Sequence, residues 1–112
     1  MNLVEQVLNA AIAKFNAKVD SDANLRNELR GVRKVVQVEV EDGEWYHFVL
    51  ENARVAGLLK GPAQNPDIRV IASSETLTQL WTGELRSMKA IATRRLQVKG
   101  SIDDLFRFRK FF

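Results

Sequence analysis

The only histidine of the chain, His47, sits within Trp45-Tyr46-His47-Phe48-Val49-Leu50 and is the first residue to weigh for acid–base chemistry, because imidazole titrates near neutrality. To act as a general base it needs an orienting carboxylate. Glu39, across an expected hairpin, is the nearest guess, but a plain cross-strand or surface histidine is the expected reading of the residue. Carboxylates gather at Glu39, Glu41, Asp42 and Glu44, where they read as a solvated turn rather than a set of cation ligands. Cysteine is absent from the sequence, which excludes disulfides, thiolate metal sites and cysteine nucleophiles, and a lone histidine cannot build a multi-histidine metal cage. There is no phosphate-binding glycine loop, dinucleotide fingerprint or serine elbow. The sequence therefore names no catalytic residue, no metal ligand and no cofactor.

Charge points to binding instead. The chain carries 17 basic and 14 acidic residues, a net charge of +3. The stretch from Glu84 to Phe112 holds eight of the basic residues (Arg86, Lys89, Arg94, Arg95, Lys99, Arg107, Arg109 and Lys110) against three acidic ones. An excess of that size suits nucleic acid, an anionic membrane surface or a phosphorylated ligand such as an acyl-coenzyme A, or else a solvated face with no partner. In Phe106-Arg107-Phe108-Arg109-Lys110-Phe111-Phe112 aromatic and basic residues interleave, as they do in single-strand binders. Their spacing is helical rather than strand-like, however, which fits a membrane surface or a lid over an apolar cavity, so nucleic acid is not the expected partner.

The elements that must position these residues are legible from periodicity. At 112 residues the chain is expected to form a single domain, 1–112. Leu3, Val4, Val7, Leu8, Ala11, Ile12 and Phe15 recur at three- and four-residue spacing and predict a helix. Asp20-Ser21-Asp22 caps a short second one carrying Leu25 and Leu29, which ends at Gly31. The period then becomes two: Val36–Glu41 is a strand, Asp42-Gly43 a tight turn with two positive φ angles, and Trp45–Leu50 the return strand. Arg54–Leu59 reads as a third strand, the Pro62 and Pro66 segment as a loop, and Ile68–Ala72 as a fourth strand. Ser73 or Ser74 caps a helix with Leu77, Leu80 and Trp81 on one side, stopped by Gly83. Ser87 starts a shorter helix bearing Met88, Ile91 and Ala92, Leu96-Gln97-Val98 forms a fifth strand, and a last helix starts at Ile102. The expected fold is α+β: a five-stranded, mostly antiparallel sheet with about five helices over one face. The residues aimed between the layers are almost all apolar, which by pattern alone describes an ordinary filled core, since apolarity by itself does not make a pocket.

The stretch Leu77–Gly100 resembles the sterol carrier protein type-2 domain family. That family shows a leucine-bearing helix, a Thr-Gly-x-Leu turn, Met-Lys-Ala opening the next helix and a strand ending in Lys-Gly. Thr82-Gly83-Glu84-Leu85, Met88-Lys89-Ala90, Leu96, Val98 and Lys99-Gly100 occupy those places in register. Gly31-Val32, Asp42-Gly43 and Asp67 at the opening of the fourth strand extend the resemblance upstream. Ser87 stands where the family often has proline, and Arg94 where it commonly has glycine before the fifth strand.

The resemblance implies a hydrophobic tunnel between the layers that holds fatty acid, fatty acyl-coenzyme A, phospholipid or sterol-like ligands, with binding and transfer but no chemistry. Val38, Phe48, Leu77, Leu80, Trp81, Met88, Ile91 and Phe106 are the expected lipid-binding wall. Arg86, Arg94, Arg95 and Arg107 are the expected contacts to an anionic headgroup or a transiently bound anionic membrane. The alternative is an accessory protein-interaction or dimerisation module that docks through Phe108, Phe111 and Phe112 of the C-terminal helix. A monomer or weak homodimer is expected. The chain stops at Lys110-Phe111-Phe112 instead of the family's peroxisomal Ser-Lys-Leu, and the expected location is cytoplasmic.

Overall fold

The computed structural model describes residues 2–108. Helix α1 (Leu3–Ser21) starts where the Asn2 side chain accepts a hydrogen bond from the Glu5 N–H at 2.8 Å. Val4, Val7, Leu8, Ile12, Phe15 and Val19 are buried along it, so the periodic apolar stripe is turned to the core except at Leu3 and Ala11, which are exposed. Helix α2 (Ala23–Glu28) starts on Asp22, whose carboxylate accepts from the Leu25 N–H at 3.1 Å, and Gly31 follows at φ +74°.

The strands are β1 (Lys34–Val40), β2 (Trp45–Glu51), β3 (Arg54–Val55), β4 (Leu59–Lys60), β5 (Ile68–Ala72) and β6 (Leu96–Lys99). They lie in the order β3-β2-β1-β5-β6, with β4 also on β2, and every pair is antiparallel except β1 with β5. Register puts Val36 opposite Phe48 and Ile68, Val38 opposite Tyr46 and Val70, and Val40 opposite Ala72. Because side chains alternate across a strand, these residues share one face, and they join the stripe of α1 in a single core cluster.

The sheet has six strands where five are expected. The predicted third strand breaks at Ala56-Gly57-Leu58 into β3 and β4, each pairing with a different part of β2. Gly57 has no side chain to pack on the pleat, which weakens a strand at its middle. The β1–β2 connection also differs. Neither Asp42 nor Gly43 has positive φ; the link spans residues 41–44, and the Gly43 N–H donates to the Val40 carbonyl at 3.2 Å. The Asp42 carboxylate is held by the Ser74 N–H at 2.8 Å and by the Ser74 hydroxyl, contacts the tight turn was not expected to make. The paired positive φ angles fall instead at Asn52 (55°) and Ala53 (56°), between β2 and β3.

Helix α3 (Ser74–Thr82) is capped by Ser73, whose hydroxyl accepts from the Thr76 N–H at 3.1 Å, and ends at Gly83 with φ +84°. Helix α4 (Ser87–Ala92) has Arg86, not Ser87, at its N-cap, with no side-chain capping bond, so Ser87 is already its first residue. Arg94 takes up φ +61° in the turn that leads to β6. Helix α5 (Ile102–Phe108) closes the described chain. Among the described residues no helix is long and apolar enough to cross a membrane.

Candidate functional site

The two layers close on each other at the middle of the sheet, where Leu50, Ile68 and Ala72 have no exposed surface. They part at one end. Where β1 turns into β2 and both α1 and α3 begin, a cavity of about 590 Å³ opens to solvent. Val4 of α1 and Val40 and Tyr46 of the sheet's core face line it, beside Thr78 and Gln79 of α3. Tyr46 is buried, and its hydroxyl accepts from the Asn2 amide at 3.1 Å and donates to Glu44 at 3.5 Å. This fixes the ring as a rigid apolar surface with its polar tip satisfied.

The rim is acidic. Asp42, Glu44, Glu75 and Glu84 line the cavity, and no described lysine or arginine does. The Ser74 hydroxyl, and after it the Ser74 N–H, hold the Asp42 carboxyl below its ordinary range, so Asp42 is charged at neutral pH. The same contacts satisfy an N–H group in the first turn of α3, which takes up part of the positive end of that helix dipole. Of the apolar lining residues Leu3 is 58% exposed while Val4, Val40 and Tyr46 are buried, so an apolar chain meets Leu3 directly and the other three only where the lining gives way. A carboxylate or phosphate at the mouth meets like charge, whereas a hydroxyl or an amine does not.

The candidate acid–base pair is not assembled. His47 faces Gln37 across the hairpin, not Glu39, and its Nδ1 lies 2.9 Å from the Gly61 carbonyl, which makes that nitrogen the protonated one. Glu39 is held by Arg69, with contacts at 2.5 and 2.9 Å, and by the Gln37 amide at 2.9 Å. The Arg69 hydrogen bonds keep the Glu39 carboxyl below its ordinary value, against the opposing effect of burial. Gln37 also accepts from the Ala63 N–H at 2.9 Å, so this network pins the proline-containing loop over the outward face of the sheet. Among the described residues no group of three or more His, Asp or Glu side chains is placed to hold a metal ion.

The eight expected wall residues separate by exposure. Val38, Phe48 and Leu77 are buried in the core, and Leu80 is half-buried against it. Trp81 is 42% exposed, Ile91 44%, Phe106 61% and Met88 77%. None of the eight lines the 590 Å³ cavity. Trp81 carries the Lys14 ammonium over its ring, 5.7 Å from the centroid. A smaller cavity of about 300 Å³ lies by Val49, Ala56, Gly57, Leu58 and Leu59.

The expected headgroup residues separate too. Arg95 donates to Gln79 at 2.5 Å, and Arg107 pairs with Asp104 at 3.3 Å, a buried carboxylate that also binds Lys34 at 3.0 Å. Arg86 and Arg94 are exposed and make no side-chain hydrogen bond or ion pair among the described residues. Phe111, Phe112 and the side chain of Phe108 lie outside what the structure describes.

Sequence reading missed Tyr46, Val4, Val40, Thr78 and Gln79 as lining residues. Alternation and helical spacing place the first three on the interior side, but no sequence pattern marks the end of the sheet at which helices stand away from it.

Comparison with known proteins bears on the fold. The model of the SCP-2 sterol transfer family matches residues 12–112. Among solved structures, the chain is similar to a ubiquinone synthesis protein, UbiJ-SCP2, at 24% identity over 97% of this chain and 92% of that one, with a TM-score of 0.68. It is similar to Sterol Carrier Protein-2 from Aedes aegypti, solved in complex with palmitate, at 19% identity over 99% and 96% of the two chains, TM-score 0.61. A stereoselective inverting sec-alkylsulfatase from Pseudomonas sp. matches at 18% identity and TM-score 0.62 over 81% of this chain, which spans 14% of that enzyme's length. No curated protein sequence matches.

Proposed function

The chain belongs to the SCP-2 sterol transfer family, and from that premise we propose that it binds and passes on a lipid without chemically altering it. The guest's alkyl chain or ring system enters the cavity between α1, α3 and the β1–β2 end of the sheet. The observation that carries this reading is the 590 Å³ cavity with an apolar floor, a volume within the roughly 300–1,000 Å³ range of small-molecule sites. Affinity comes from burial, at about 0.8 kcal/mol for each methylene removed from water. Val38, Phe48, Leu77 and Leu80 do not line the cavity but pack in or against the same core cluster as Val40 and Tyr46, and a longer chain reaches them only by displacing side chains. The palmitate of the Aedes aegypti protein supports an alkyl chain as the guest. The four carboxylates of the rim favour one that ends in an uncharged head, a sterol or long-chain alcohol over a free fatty acid or an acyl-coenzyme A.

Displacement of a fluorescent lipid tests this. Hexadecanol and cholesterol compete better than palmitate or palmitoyl-coenzyme A, and Thr78→Phe, which fills the cavity from α3, weakens all of them by about tenfold while the protein stays folded. If no lipid class displaces the probe and organic extracts of the purified protein contain no lipid, the reading is wrong.

A second reading has one observation in its favour. Ile102 and Phe106, four residues apart on α5, are 73% and 61% exposed and share a face, as a docking surface for a partner or a second copy would. Light scattering that finds a dimer, lost on Phe106→Ser with lipid binding absent, selects it.

A further inference from the structure

Helix α4 buries a single residue, Ala90. At about 100° per residue, Met88 and Ala92 lie opposite Ala90 on the helix, with Ile91 on one flank and Lys89 on the other. Met88 is 77% exposed and Ile91 44%, so the outward face is led by two large aliphatic side chains. Along the sequence, Arg86 to Lys99 holds five basic residues, Arg86, Lys89, Arg94, Arg95 and Lys99, and no acidic one. Arg86, Lys89 and Arg94 are exposed and make no side-chain hydrogen bond or ion pair among the described residues. Arg94 is presented from a left-handed backbone position, φ +61°, that glycine fills with less strain.

We propose that α4 is a membrane-docking element: Met88 and Ile91 enter the interfacial layer of an anionic bilayer while Arg86, Lys89 and Arg94 meet its phosphate and carboxylate headgroups. The chemistry favours a bilayer over other anionic partners. Met88 and Ile91 offer no ring on which a nucleobase stacks. Two aliphatic side chains on a six-residue helix fall well short of the roughly 800 Å² each partner gives to a stable protein interface. Aliphatic side chains flanked by cations are what a surface-lying segment needs, because apolar burial and attraction to anionic lipid add. The surface is separate from the acid-rimmed cavity, and the proposal does not rest on what that cavity holds.

Since the sequence has no cysteine, Met88→Cys gives a single attachment point for an environment-sensitive dye, and Asn24→Cys on α2, also exposed, gives a control. On vesicles of phosphatidylcholine with phosphatidylserine, the dye at position 88 shifts to the blue and the dye at position 24 does not. Vesicles of phosphatidylcholine alone shift neither. Arg86→Gln with Lys89→Gln lowers partitioning about thirtyfold, roughly fivefold for each cation removed beside an anionic leaflet. Met88→Ser with Ile91→Ser lowers it about tenfold or more at unchanged charge. Equal binding to both kinds of vesicle, an equal shift at positions 24 and 88, or salt-sensitive binding to RNA without any vesicle binding overturns the proposal.

Discussion

Helices α1 and α4 are both rich in apolar residues, yet one is built into the protein and the other is laid on it. Over 19 residues α1 buries Val4, Val7, Leu8, Ile12, Phe15 and Val19 along one stripe. Over six residues α4 buries Ala90 and leaves Met88 and Ile91 outside. The difference lies in what each helix can reach. A long helix with a continuous stripe spans the sheet and fills it, whereas a helix of under two turns, held between Gly83 and Arg94, makes one anchoring contact with an alanine and turns its larger side chains to solvent. Apolar content therefore marks the core in α1 and an exposed face in α4.

The largest expected effect breaks that comparison directly. Phe15→Ala lowers unfolding stability by about 3–5 kcal/mol in urea titration, the range for emptying an aromatic site in a core, while Met88→Ala stays within about 0.5 kcal/mol of the parent. If Met88→Ala costs as much as Phe15→Ala, α4 packs like α1 and the distinction fails.

Next in size, Arg94→Gly relieves the left-handed strain after α4 and raises stability by about 1 kcal/mol, read as a higher midpoint at unchanged slope. The same variant binds anionic vesicles less well, so its two readouts move in opposite directions. Ala53→Gly, at φ 56° in the β2–β3 turn, gives a similar gain in stability with no change in vesicle binding.

The smallest effect concerns the reverse face of the sheet. The folded pKa of Glu39 is lowered from its ordinary 4.5, so its contribution is fully present above that value and is lost as pH falls through the lower folded pKa. Glu39→Gln flattens this part of the acid limb of stability against pH. An unchanged acid limb in the variant means that the Arg69 contact contributes nothing measurable.

Much of the architecture was legible from residue order. Asp22 and Ser73 cap helices where the pattern puts caps, Gly31 and Gly83 take the left-handed positions, and the valine alternation of β1 faces inward. What was not legible depends on contacts distant in sequence. The Asp42–Ser74 contacts set the β1–β2 link, and β2 supplies two separate pairing sites that divide the third strand. The candidate site was legible in chemistry but not in place: apolar walls were expected, but which ones face a void depends on where α1 and α3 lift from the sheet. Exposure at Met88, Ile91 and Phe106 goes with the shortness of α4 and α5, and that at Trp81 with its place in the last turn of α3, none of which periodicity reports.

Where the guest sits is tested most directly by isotope-edited nuclear Overhauser contacts between a carbon-13-labelled long-chain alcohol and the protein. The predicted result is contacts from its chain to the Val4 and Val40 methyls and the Tyr46 ring. Contacts confined to Met88 and Ile91, or none to any interior methyl, would contradict a guest held between the layers.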